Sequence, residues 1–489
     1  MWSITRYKFS SRSKMEEEKI TGKSWRTLCI LSCIGLIVLF DEIMILPAIP
    51  DFIRDFNISY STSSWLLSAY IIAAAVMTPI AGKLSDIYGK KKILLIVMAV
   101  YTVGVLLGRF ATNIEFMLVA RALQGVGMGM FPVAFGIIRE VFPEKKLAMA
   151  QTIFSSTFPA GAVIGLVGGA AIIQNFGWQA TFVAVLPVAI ALWFIILKFV
   201  HVPSSAMGEG SQPIDKSVDI KGTLALAATI TFFLTGLTFL EGDNSTYHSA
   251  GLFAASGISL AAFIYIEKRV SSPLLDFKLM TSKTFLPPTI ILMLVFLSIF
   301  TVYLTVPIMV RSPKPLGFGG DALAVAGVQL PFMIMFLVTT IISGFLLNKI
   351  KNTKLILIGT IISTVGFLFL IMFHSTETMV AIGLTIIAAG LSVSTAGGFN
   401  VILVSVPMQM AGIALGMTLL LNLVGMSVGP VFAGIIQDMN QGTIEGIDGQ
   451  FPTKDAYNII FVVSCLVSLA SVILSLLVSR MKNVQTAQV

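Results

Sequence analysis

The chain has 489 residues, of which 56% are hydrophobic and 11% charged, with a mean hydropathy of +0.93. That balance lies far outside soluble globular domains and reads as a polytopic membrane protein. The formal charge of +8 does not mark a nucleic-acid binder, since no basic cluster with interleaved aromatics occurs in a polar domain.

A membrane-crossing helix needs about 20 apolar residues, and the chain offers fourteen such runs. The N-terminal tail, 1–26, is polar and basic and lacks the apolar core of a cleavable signal, so the first span must direct insertion. Met15 is an alternative start. Six spans follow within 27–200, at about 27–50, 62–81, 93–111, 115–138, 148–173 and 180–200. A Ser/Gly/Pro-rich linker, 201–221, separates them from a two-span hairpin, 222–268, with runs at about 222–240 and 248–266. An amphipathic interfacial segment, 269–284, precedes the last six spans in 285–479, at about 285–310, 322–347, 355–373, 377–404, 411–436 and 457–479. A polar tail, 480–489, ends the chain. Cys29, Cys33 and Cys465 fall within spans and read as small apolar packers.

Basic residues test this topology. Of 32 Lys and Arg, one side holds only Arg54, Arg109, Arg311, Lys314 and Lys454, and Arg121 lies inside a span; the rest fall on the other side. The positive-inside rule then expects both termini in the cytoplasm and the chain in the cell membrane.

Acids inside spans are scarce, and the clear pair is Asp41-Glu42 in helix 1. An ionisable group in hydrocarbon is costly, so it is a functional candidate by default. A carboxyl there can alternate between protonated and ionised forms as water access changes, or it can form a static ion pair with Arg121. Glu42 points about 100° away around the helix, where cation recognition and a surface-facing or packing role are both open.

Between helices 2 and 3 the chain reads Gly82-Lys-Leu84-Ser-Asp86-Ile-Tyr-Gly89-Lys-Lys91-Lys92. Two long apolar runs flank this polar string, which is expected to form a tight turn at one membrane face, with the glycines allowing close backbone approach. Any basic loop would satisfy the orientation rule, but not the Gly-x-Leu-x-Asp-x-x-Gly spacing. Here the chain resembles the major facilitator superfamily, whose loop between helices 2 and 3 has this pattern. Six plus two plus six spans resembles the fourteen-helix drug:proton antiporters of that superfamily. The resemblance implies an all-α integral membrane fold of two six-helix bundles with an inserted hairpin.

It also implies roles. Asp41, nine residues before Pro50, resembles the family's helix 1 pattern associated with proton coupling. Leu118-Val-Ala-Arg121-Ala-Leu-Gln124-Gly125 in helix 4 resembles the Arg-x-x-Gln-Gly motif, placing Arg121 beside Asp41 and Gln124 on the same helix face. The reading therefore assigns proton coupling to Asp41, Glu42 and Arg121. Helix 5 departs from the antiporter pattern, reading Gly165-Leu-Val-Gly-Gly169-Ala where the family has Gly-Pro-x-x-Gly-Gly, whereas helix 13 retains Gly429-Pro430. That departure bears on antiport direction, and Asn422 is the nearest polar group in helix 13, where some relatives place an acid.

A shift of about 262 to 264 residues superposes the two ends of the chain, the mark of a duplicated bundle. Gly344-Phe-Leu346-Leu-Asn348 repeats Gly82-Lys-Leu84-Ser-Asp86, and Gly425-x-x-x-Gly429 repeats Gly161-x-x-x-Gly165. The glycines Gly165, Gly169 and Gly429, with Pro430, read as helix-packing positions. Trp65, Tyr70, Gln124, Gln329, Asn400 and Asn422 are candidates for a central substrate cavity.

An ATP-driven pump is excluded, because Gly22-Lys23-Ser24 has Glu17 where a phosphate-binding loop needs glycine. A membrane enzyme would need clustered ligands or acids, and His201, His248 and His374 lie far apart in loops. The expectation is a proton-coupled exporter of amphipathic or cationic compounds, with no cofactor beyond protons as coupling ion. Its partners are expected to be a small amphipathic molecule and the lipid bilayer, with the chain acting as a monomer. The alternative is an exporter or symporter dedicated to one metabolite or lipid.

Overall fold

The computed structural model describes residues 22–201, 220–239, 246–270, 277–282, 284–347, 349–406 and 411–480. Among the described residues, thirteen helices are long and apolar enough to cross a membrane, and the shorter apolar helix Lys221–Leu237 brings the number to fourteen. They are numbered in chain order: helix 1 Gly22–Phe56, helix 2 Tyr60–Tyr88, helix 3 Lys90–Arg109, helix 4 Ile114–Val141, helix 5 Met149–Phe176, helix 6 Gln179–Phe199, helix 7 Lys221–Leu237 and helix 8 Tyr247–Glu267. Helices 9 to 14 are Leu286–Arg311, Ala322–Leu346, Asn352–Met372, Glu377–Val404, Ala414–Met439 and Lys454–Arg480. With fourteen antiparallel crossings, Gly22 and Arg480 lie on one face, called here the tail face; the opposite is the far face. Most of both expected tails and of the linker, the alternative start at Met15, residues 271–276 and 283 of the interfacial segment, and Asn348 lie outside the described residues.

Helix 1 is not one straight rod. Its α-helix ends at Met44, a 3-10 turn covers Leu46–Ala48, and a second α-helix runs Ile49–Phe56. Pro47 and Pro50 each remove a backbone donor there, so the regular ladder cannot pass through. Asn57, at φ 49°, ψ 55°, closes the segment in the left-handed conformation. Four helices that start on the far face begin with side-chain caps: Ser59 accepts from the Thr62 amide, Asn113 from Phe116, Asp321 from Ala324 and Thr376 from Met379. Each cap satisfies an amide that the first turn leaves without a partner. Between helices 13 and 14 the chain forms an antiparallel hairpin on the far face, β1 Gln441–Ile444 and β2 Ile447–Pro452, which the apolar-run reading did not anticipate.

The halves repeat in three dimensions. Helix 5 packs on helix 1 as helix 13 packs on helix 9, and in both pairs glycines allow the contact. A Cβ on Gly165 would stand 2.7 Å from the Phe40 carbonyl oxygen, and one on Gly429 would stand 2.7 Å from that of Leu297. In hydrocarbon no hydrophobic drive brings helices together, so close backbone approach through small residues supplies the packing. Across the halves, helix 2 lies against helix 13 and helix 5 against helix 10. The inserted hairpin rests on this seam: Ile230 and Leu234 of helix 7 share a cluster with Ile72 of helix 2 and Val428 and Val431 of helix 13.

Candidate functional site

Asp41 and Arg121 are both fully buried, with the guanidinium Nη1 3.8 Å from Asp41 Oδ2. The arginine is held in place independently of that acid. Its Nε donates to the Leu66 carbonyl at 3.0 Å, its Nη1 donates to Gln124 Oε1 at 2.8 Å, and its Cζ lies 4.5 Å over the Tyr70 ring. Gln124 in turn reaches toward Gly104 of helix 3, with Nε2 3.4 Å from the carbonyl. The crossing is tight enough that a Cβ on Gly125 would stand 2.2 Å from the Tyr70 carbonyl oxygen. Asp41 is held far less: neither carboxylate oxygen has a hydrogen-bond partner, and Arg121 Nη2 is likewise unbonded. A charge pair buried at 3.8 Å without hydrogen bonds recovers little of its desolvation cost.

Glu42, the next residue, has the opposite setting. It is partly exposed and makes no hydrogen bond or ion pair among the described residues.

The polar string after helix 2 corrects the expectation of a loop. Helix 2 runs through Tyr88 and helix 3 begins at Lys90, so Gly82, Leu84 and Asp86 are helical and only Gly89, at φ 98°, breaks the chain. Lys90 occupies the junction, with Nζ 3.0 Å from Asp86 and 2.6 Å from Glu140 at the end of helix 4. Lys91 donates to the Leu197 carbonyl of helix 6 at 2.8 Å; no bond involving Lys92 is formed among the described residues. Gly82 lies beside Pro132 of helix 4. One lysine thus ties the tail-face ends of helices 2, 3 and 4.

On the far face, side chains join the two halves. Arg311 at the end of helix 9 donates to both carboxylate oxygens of Asp51, at 2.5 and 2.8 Å, and to the Pro47 carbonyl at 2.9 Å. Asp438 at the end of helix 13 accepts from the amides of Tyr60 and Ser61, at 2.9 and 2.7 Å. Gln174 of helix 5 accepts from the Ala322 amide of helix 10 at 3.2 Å, and the Tyr60 hydroxyl donates to the Gln450 carbonyl of β2 at 3.1 Å.

Two six-helix halves with this seam match a known family: residues 31–430 fit the model of the Major Facilitator Superfamily. The chain belongs to the Major Facilitator Superfamily. That superfamily consists of membrane transporters and not enzymes. Among its curated relatives, the chain is 28% identical to multidrug transporter protein MdtP of Bacillus subtilis over 73% of its own length and 64% of the relative's. It is 26% identical to multidrug resistance protein 3 of the same organism, over 68% and 63%, so these matches span slightly less than two thirds of those relatives. With the multidrug efflux pump LfrA of Mycolicibacterium smegmatis it shares 26% identity over 85% of this chain and 81% of that one. A crystal structure of a bacterial homolog of the human lysosomal transporter Spinster, inward-facing and unoccupied, superposes with a TM-score of 0.67 at 16% identity, covering 94% and 98%.

Within this superfamily fold, the candidate cavity residues separate. Tyr70 and Gln124 belong to the buried Arg121 cluster. Trp65 packs against the cluster shared by helices 2, 7 and 13. Gln329 is buried, donating from Nε2 to the Tyr303 carbonyl at 3.2 Å while its Oε1 stays unbonded. Asn422 is buried with neither amide atom bonded, and Asn400 is half-buried near the tail-face end of helix 12. Gly169 lies against Met44 of helix 1, where a Cβ would stand 2.7 Å from Met44 Cα, and Pro430 lies within helix 13 without ending it. Sequence reading missed Glu140, Asp51, Arg311, Asp438 and Tyr303. An acid at the end of helix 4 was a signal for Glu140, while the others sit at helix ends where single charges are ordinary, or among aromatic residues that read as packing.

Proposed function

We propose that this protein is a secondary active transporter of the cell membrane that exports amphipathic compounds in exchange for protons. The observation that carries the reading is the sealed Asp41 carboxyl, 3.8 Å from an arginine that other groups hold in place. A proton arriving from the far face neutralises Asp41 and removes the attraction across helices 1 and 4. Its loss toward the tail face restores that attraction, and Arg121 keeps its position throughout. The two halves alternate about this midplane region.

Orientation follows from charge: the tail face carries most of the 32 basic residues and is taken as cytoplasmic, with both termini there. Each chain contains both bundles, which supports a monomeric transport unit. The relatives named as multidrug transporters and efflux pumps, and the layout of two bundles around a hairpin, support a broad range of substrates over a single metabolite.

Competition distinguishes the two. In inside-out vesicles energised with a pH gradient, chemically unrelated amphipathic compounds are expected to inhibit accumulation of a fluorescent probe. Inhibition by one compound class alone would assign the protein to a dedicated substrate.

A further inference from the structure

Helix 6 ends on the tail face against helices 1 and 3, and cations make the contact. Arg26 of helix 1 donates from Nη2 to the Phe199 carbonyl at 3.3 Å, and Lys91 of helix 3 donates to the Leu197 carbonyl at 2.8 Å. Lys198 joins them: its Nζ lies 5.5 Å from the centroid of the Phe199 ring, and the Arg26 guanidinium lies 5.1 Å from the same centroid. None of the three takes part in an ion pair among the described residues. A helix C-terminus presents about half a negative charge, so three full positive charges gathered there are under-compensated. Donors are left over as well. An ammonium has three N–H groups and a guanidinium five, and Lys91 and Arg26 each use one on a carbonyl.

Further into the membrane, helices 3 and 6 form an apolar groove. Ala99 and Thr102 of helix 3 with Ile190 and Trp193 of helix 6 line a cleft of about 190 Å³, and the exposed side chain of Ile190 places it on the lipid-facing side. The polar atoms of its walls are already bonded: Trp193 Nε1 donates to the Leu95 carbonyl at 3.1 Å, and Thr102 Oγ1 to that of Met98 at 2.7 Å. Lys91, Leu95, Ala99 and Thr102 share one face of helix 3 by their spacing. Ala99 and Thr102 therefore stand about 12 and 16 Å along the helix from Lys91, which is the thickness of one leaflet in a hydrocarbon core of about 30 Å. Cations at headgroup level and an apolar cleft at acyl-chain depth, on one stripe, have the dimensions of a phospholipid.

We propose that this is a binding site for a phospholipid of the tail-face leaflet with a net negative headgroup. Its phosphate sits among Arg26, Lys91 and Lys198, and one acyl chain enters the cleft between helices 3 and 6. A zwitterionic headgroup would bring a further cation to a cluster that already holds three, so charge complementarity selects the anionic lipid. The bound lipid fastens helices 1, 3 and 6 of the first half to one another. It stands on the lipid-facing side, apart from the buried Asp41–Arg121 pair, and holds whichever compound the protein carries.

Trp193 reports occupancy of the cleft. The full chain is reconstituted in phosphatidylcholine vesicles containing rising mole fractions of phosphatidylglycerol with dibrominated acyl chains, whose bromines quench indole emission on contact. Dibrominated phosphatidylcholine serves as the zwitterionic comparison, and the difference between wild type and Trp193→Phe isolates the Trp193 signal. Wild type is expected to bind phosphatidylglycerol about 10-fold more tightly than phosphatidylcholine, and Arg26→Gln/Lys198→Gln to bind the two alike. Arg26→Lys/Lys198→Arg should keep the preference, which separates lost charge from a disturbed fold. In detergent, added phosphatidylglycerol should raise the unfolding midpoint of wild type and not that of the double glutamine variant. Equal quenching by the two lipids in wild type, or a preference that survives the double glutamine substitution, overturns the site. Loss of the preference in the charge-conserving variant overturns it too, as does displacement of the brominated phosphatidylglycerol by millimolar inorganic phosphate, which would make the ligand a free anion.

Discussion

Arg311 and Asp51, 260 residues apart in sequence, are joined by two hydrogen bonds of 2.5 and 2.8 Å. The pair links the first helix of the second half to the segment of helix 1 that lies beyond its proline break. Arg311 Nη1 also donates to the Pro47 carbonyl at 2.9 Å. The break thus positions an anchor that closes the far face.

Breaking that anchor should open the far face. A charge-assisted bidentate contact contributes about 1.5–3 kcal/mol, so Arg311→Gln is expected to shift the equilibrium roughly 10- to 100-fold toward the far-face-open state. Spin labels at Phe176, 76% exposed on helix 5, and Lys314, exposed beyond helix 9, report the distance. An unchanged distance distribution would show that the pair does not set the equilibrium.

Asp438 acts as a cap supplied by the other half. Its carboxylate accepts from two amides at the start of helix 2, where negative charge is favoured by the exposed N–H groups. Asp438→Asn should lower stability by about 0.5–2 kcal/mol, read as a lower unfolding midpoint in detergent. A midpoint equal to that of wild type would contradict this role.

The glycines predict a contrast. Alanine at Gly125 places a Cβ 2.2 Å from the Tyr70 carbonyl oxygen, whereas at Gly82 the nearest atom is 3.5 Å away on Pro132. Overpacking at a rigid backbone contact costs about 1–3 kcal/mol. Gly125→Ala is therefore expected to lose stability and transport together, and Gly82→Ala to keep its unfolding midpoint. Equal midpoints for both variants would contradict the contact.

Lys90 joins three helices but is near the surface. Lys90→Met should change stability by less than about 1 kcal/mol, yet slow transport several-fold, because the tail-face ends of helices 2, 3 and 4 no longer move as one. Binding affinity for substrate should be unaltered. A variant with weaker binding and normal turnover would refute the assignment.

The spans were legible because hydrocarbon leaves the chain little choice: long apolar runs must become helices whose backbone groups bond internally. The meeting of Asp41, Arg121 and Gln124 was legible for a related reason, as charged and polar groups inside apolar runs have few partners besides one another. The polar string misled on conformation, since helix 2 carries Gly82, Leu84 and Asp86 beyond its apolar run and needs only Gly89 to stop. Asp51 and Arg311 could not be matched, because charges at helix ends are common and their pairing depends on how the halves close. The hairpin β1–β2 was hidden for want of an apolar alternation, its pairing resting on short polar segments around Gly446.

The most direct test of the central claim is proton flux in proteoliposomes carrying wild type or Asp41→Asn, with an imposed pH gradient and a panel of lipophilic cations. Coupling through Asp41 predicts substrate-induced proton movement in wild type that disappears in the variant, while the variant still binds the cations. Equal proton movement in both proteins, or none in wild type that transports the cations, would contradict it.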